Sequence, residues 1–168
     1  CVRFGRGGKS EAQCFLLDQP EHHFALEGAC PDWFMPNADA RGYYRFDLDA
    51  ADFGKLGRAS AQLSSPEQVV YADALVSAFN RGTLPPTALL EAMPALAKSD
   101  VPQIATALFG RYEWIRENAV GDALRPALDA WVASLYAPRM KTLGWKRKDG
   151  ESGTTTALRS RLADFLAM

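Results

Sequence analysis

Between Trp33 and Asp49 the chain changes period, and that change limits its fold more than any other feature. The stretch, WFMPNADARGYYRFDLD, sets an aromatic-rich segment, the turn residues Pro36, Asn37 and Gly42, and a second alternating segment, Tyr43 to Leu48, end to end. Upstream of it, short runs alternate apolar and polar residues, the two-residue period of half-buried strands. Downstream, apolar residues recur at three and four positions, the helical period. The expected class is therefore α+β, with a β segment over residues 1–49 and a helical segment over 50–168.

Val2 and Phe4 flank Arg3, Gly5 to Ser10 reads as a turn, and Gln13–Leu17 and Glu21–Leu26 read as further strands. With the two segments of the junction they make about five strands, which suits part of a β-sandwich. Cys1 already stands in strand-like sequence, which suggests a piece of something longer. Six helices are expected after Asp49: Ala50 to about Leu63, a second from Ser65, a third from Pro86 to about Ala97, Val101 to about Ala119, Leu124 to Leu143, and Thr155 to Ala167. Ser65, Pro66 and Gln68 supply a capping box for the second, whose inner face is expected to carry Val69, Ala72, Val76 and Phe79. Short loops favour antiparallel neighbours, as stacked hairpins.

Nineteen basic against twenty acidic residues in 168 leave a net charge of −1, so no sequence-wide field draws the chain to nucleic acid or an anionic membrane. Its apolar runs are too short to span a bilayer, and the chain reads as soluble, with the compartment left open between cytoplasmic and exported. Three cysteines, Cys1, Cys14 and Cys30, lack C-x-x-C spacing; reduced thiols are the plainer reading, with a Cys14–Cys30 bridge left open.

Catalytic patterns are missing from the sequence. His22 and His23 are adjacent in an expected strand, hence on opposite faces, and cannot share one metal. Gly5, Gly7, Gly8 and Lys9 lack the spacing of a phosphate loop, and no G-x-S-x-G occurs. Asp73 stands beside an apolar helix stripe and needs a partner. Lys98, Arg111, Arg116 and Arg125 lie on helix ends or polar faces. They are ordinarily solvated, but in a stacked-hairpin domain Lys98, Arg111 and Arg116 could line a concavity and meet a peptide carboxylate.

Trp33, Asn37, Gly42-Tyr43-Tyr44-Arg45 and Asp49, in that order, resemble the sandwich-to-helix junction of the M1 family of zinc aminopeptidases, which includes aminopeptidase N and the puromycin-sensitive and endoplasmic-reticulum enzymes. The helix bearing Asp73, and Tyr136 through Leu143-Gly144-Trp145 to Leu158-Arg159, resemble later segments of the same proteins. Two departures stand out: Glu67, where a basic residue is expected, and a short segment around Lys98 to Pro102. The resemblance implies an Ig-like sandwich end followed by the start of a helical C-terminal domain. Zinc, its glutamate base and the catalytic chemistry would belong to a domain of the parent chain, with no cofactor in these residues.

On that resemblance the expected role is to help enclose a peptide-substrate chamber, with the rest of the parent chain as partner. Trp33, Tyr43 and Tyr44 would pack sandwich against helices, and Arg45 and Asp73 would find structural partners. An independent protein-binding module is the rival reading. Self-association is a further expectation, should Leu158, Leu162, Phe165 and Leu166 lie exposed.

Overall fold

The computed structural model describes residues 1–167 and divides the chain into two compact units, Cys1–Leu84 and Pro85–Met168. Among the described residues it is an α+β fold: three antiparallel strands, then six helices of nine or more residues, with one short α-helical turn and two 3-10 turns.

In the first unit, β1 (Val2–Arg6) and β2 (Lys9–Gln13) form a hairpin, and β3 (Trp33–Met35) pairs with the other edge of β1. Gly7 and Gly8 both take positive φ, 53° and 81°, which a two-residue hairpin turn between Arg6 and Lys9 requires. The hairpin register carries on from Val2 opposite Gln13 to bring Cys1 against Cys14, and the structure bonds their sulfurs. Reduced thiols and a Cys14–Cys30 bridge are both corrected by this pairing, and Cys30 is free and exposed.

Fewer strands form than the alternation predicts. Glu21–Leu26 and Tyr43–Leu48 are irregular, and of Gln13–Leu17 only Gln13 is in strand. His22 therefore lies in a loop, stacked on Phe24. The physical reason is clearest for Tyr43–Leu48, whose polar positions pair with a helix instead of a strand. Arg45 meets Asp73 at 3.0 Å and Asp47 meets Arg81 at 2.7 Å, both partners on α2 (Ser65–Arg81). The segment runs along that helix, leaving Tyr43 fully exposed and Tyr44 half exposed, so neither packs as expected.

Helix α1 (Ala50–Arg58) starts at Asp49, whose side chain accepts from the Asp52 backbone, and gives way to a 3-10 turn, Ser60–Gln62, short of the predicted end. Gly57 lies inside it because the Tyr71 hydroxyl occupies the space a Cβ would need, 2.5 Å away. That hydroxyl donates to the Phe53 carbonyl at 3.1 Å. The buried face of α2 is Tyr71, Ala72, Ala74, Leu75 and Ala78, turned from the predicted stripe so that Val69 is exposed. With Phe4, Trp33, Met35, Phe53 and Leu56 these side chains form the core of the first unit.

The second unit holds α3 (Pro86–Leu96), the turn α4 (Pro102–Ala105), α5 (Phe109–Asn118), α6 (Arg125–Leu143) and α7 (Gly153–Leu166). The single helix predicted over Val101–Ala119 is broken at Thr106. Its hydroxyl donates back to the Pro102 carbonyl at 2.8 Å and accepts from Arg161 on α7. Leu89, Met93, Ile104, Leu108, Ile115 and Leu162 fill the core. Around Phe165 the rings of Phe109, Tyr112 and Tyr136 pack within 3.7, 5.3 and 5.6 Å of its centroid. Leu158, Leu162 and Phe165 are thus buried within their own unit, while Leu166, the fourth residue of the expected stripe, is half-buried.

Arg159, 5% exposed, closes the α6–α7 loop. It donates to the Gly144 and Leu143 carbonyls at the end of α6 and pairs through two nitrogens with Glu151.

Candidate functional site

The junction residues make a closed polar structure in the first unit. Asn37 is buried, and its amide acts as a false strand: Oδ1 accepts from the Gly42 N–H at 2.8 Å and Nδ2 donates to the Gly42 carbonyl at 2.7 Å. The Tyr44 ring covers Gly42, where a Cβ would fall 2.0 Å from it, and the Tyr44 hydroxyl donates to the Pro36 carbonyl. Trp33 is buried over Gly5, its cross-strand partner. Asn37, Gly42 and Tyr44 therefore shape a turn, and Trp33 packs the sheet.

Beside that turn, Glu67 is fully buried and ionised. It accepts from Arg3 Nε at 2.7 Å, the Asp39 N–H at 2.9 Å and the Ser64 N–H at 2.8 Å. Burial alone would raise its pKa, but the donors from Asp39, Arg3 and Ser64 outweigh burial and hold it below the ordinary 4.5. Arg3 also pairs with Asp39, at 2.6 Å, which holds Asp39 in a left-handed conformation at φ 55°. Ser64, not Ser65, is the N-cap of α2, and Glu67, not Gln68, completes the capping box.

The second unit holds an open cavity of about 520 Å³ between α5, α6 and α7. Its apolar side is Ala130, Val132, Ala133, Phe165 and Leu166, and its polar side is Tyr112, Glu113, Arg116, Glu117 and Asp129. Asp129 on α6 organises that polar side. Arg116 grips it through two nitrogens, at 2.7 and 2.9 Å, and the Tyr112 hydroxyl donates to it. The guanidinium and then the hydroxyl hold the Asp129 carboxyl below its usual range. Burial, with Asp129 next, pushes the Tyr112 phenol up, so the tyrosine stays a neutral donor. Arg125 secures the corner by donating to the Arg116, Glu117 and Val120 carbonyls at the end of α5.

Of the three cations expected to meet a peptide carboxylate, only Arg116 lines this cavity, and its charge is already matched by Asp129. Lys98 is exposed on the chain following α3, where its carbonyl accepts from Arg139. Arg111 is half-buried, with its Nε buried and unpartnered. Sequence reasoning missed Asp129 and Tyr112. The i, i+4 spacing of Tyr112 and Arg116 on one helix face was the available signal. Among the described residues no group of three His, Cys, Asp or Glu side chains is placed to hold a metal ion, and no helix is long and apolar enough to cross a membrane. The described residues do not fit a zinc site.

No curated protein matches the chain. A family model, the ERAP1-like C-terminal domain, matches residues 33–168, beginning at Trp33 in β3 and taking in every helix. The match covers well over half of the chain, and the chain therefore belongs to the ERAP1-like C-terminal domain family, the C-terminal domain of M1-type aminopeptidases.

Proposed function

We propose that the chain is the non-catalytic C-terminal portion of an M1-type zinc aminopeptidase and helps to enclose a chamber in which peptides lose their N-terminal residues. The family match over residues 33–168 carries this reading. The pairing of Glu67, Asp129 and Arg159 with local partners is consistent with structural roles for these three charged groups. In the parent, zinc and its base belong to a catalytic domain, which is the partner of this chain, and peptides are the substrate. The sheet of β1 to β3 would be the end of an Ig-like sandwich.

Two measurements test the proposal. The parent coding sequence is expected to contain H-E-x-x-H with a further glutamate about twenty residues on. The chain alone, supplied with zinc, is expected to leave aminoacyl-coumarin substrates intact. Turnover that a chelator abolishes would contradict the non-catalytic assignment.

A further inference from the structure

The charges around the α5–α6–α7 cavity favour a ligand of the sign opposite to the one the basic residues suggested. Three carboxylates, Glu113, Glu117 and Asp129, face it with one guanidinium, Arg116. Asp129 is saturated by Arg116 and Tyr112, so the pair contributes structure and little net field. Glu113 and Glu117 are left, four residues apart on one face of α5; neither side chain makes a hydrogen bond or ion pair among the described residues, and Glu117 feels only the weaker through-space field of Arg116. Like charges at that spacing repel. The adjoining cavity of about 330 Å³, which shares Glu113 and Phe165, adds Arg161 and Asp164, whose charges cancel.

Opposite the two glutamates lie Val132, Phe165 and Leu166, and the volume is within the range of small-molecule sites. We infer that this cavity binds an organic cation, a primary ammonium or guanidinium carried on an apolar body. The cation sits between Glu113 and Glu117 and relieves their repulsion, while the apolar body lies against Val132 and Phe165. A carboxylate ligand would meet an excess of negative charge, three carboxylates to one guanidinium, and an arginine already engaged by Asp129. The same chemistry could come from a free amine or from a basic side chain of a peptide, and the inference stands independently of the peptidase reading.

Titration calorimetry on the full chain at low salt would use 4-phenylbutylamine, its anionic counterpart 4-phenylbutyrate and the uncharged 4-phenylbutanol. A second arm would use acetyl-Phe-Arg-amide and the same peptide with citrulline. A cation is expected to bind about tenfold or more tighter than its uncharged and anionic counterparts. The substitutions Glu113→Gln and Glu117→Gln together, on an exposed helix face, are expected to remove that preference with the circular dichroism unchanged. Ala133→Phe, which fills the cavity, should block all the ligands. Binding of both cations identifies a free amine as sufficient, and binding of the peptide alone identifies a peptide side chain as the source; either supports the inference. Failure of both cations, equal or tighter binding of 4-phenylbutyrate, or a double glutamine variant with unchanged preference would overturn it.

Discussion

Glu67 in the first unit and Asp129 in the second are both carboxylates gripped by an arginine, and they do different work because of what surrounds them. Glu67 is wholly buried and takes two backbone N–H groups besides Arg3, so its charge is consumed in fixing the chain at Asp39 and Ser64. Asp129 keeps over a third of its side chain exposed and stands beside a cavity lined by two further glutamates. A buried ion with both oxygens hydrogen-bonded is a fastening. An exposed pair beside empty volume is the wall of a site.

The comparison can be broken most directly at Glu67. Glu67→Ala leaves the Asp39 and Ser64 N–H groups without their acceptor and is expected to cost about 3 kcal/mol in urea unfolding. A loss below about 1 kcal/mol would show that the network does not hold the unit together. Acid titration sharpens the same point. The folded-state pKa of Glu67 lies below its ordinary 4.5, so its contribution is fully present above that value and is lost as pH falls through the folded value. Glu67→Ala should flatten this acid limb of the stability curve.

A smaller effect contrasts packing in the two units. Gly57→Ala would force a Cβ to within 2.5 Å of the Tyr71 hydroxyl. It is expected to cost about 2 kcal/mol, whereas Ala133→Val, facing open volume, should change stability by less than about 0.5 kcal/mol, both by thermal melting. Tyr112→Phe removes one hydrogen bond to Asp129 and should cost about 1 kcal/mol. The smallest expected change is a gain. Gly54 in α1 has open space where a Cβ would go, save for the Arg58 tip at 3.5 Å, and Gly54→Ala should stabilise by roughly 0.5 kcal/mol.

Helix placement was legible in the sequence where local chemistry decides it, and registers were lost where distant residues decide. Two overlapping capping boxes begin at Ser64 and Ser65, and nothing local separates them. The structure takes the first because Glu67 must also serve Arg3 and Asp39, 64 and 28 residues away in the chain. Tyr43–Leu48 alternates like a strand, yet its charged residues pair with α2. The break at Thr106 depends in part on Arg161 from α7. Asp129 was invisible for the same reason, because its meaning rests on Tyr112 and Arg116 from another helix. The junction fared better: Asn37 and Gly42 were read together, and they close one turn on each other.

The strand β1 lies wholly outside residues 33–168, yet it supplies the pairing edge for β3, the glycine beneath Trp33 and the arginine on Glu67. The border drawn by likeness to relatives therefore cuts through a cooperative unit. A recombinant piece trimmed to begin at Trp33 would carry a buried carboxylate stripped of its counter-ion and an indole left uncovered, and the first 32 residues belong in any expression design meant to yield a folded product.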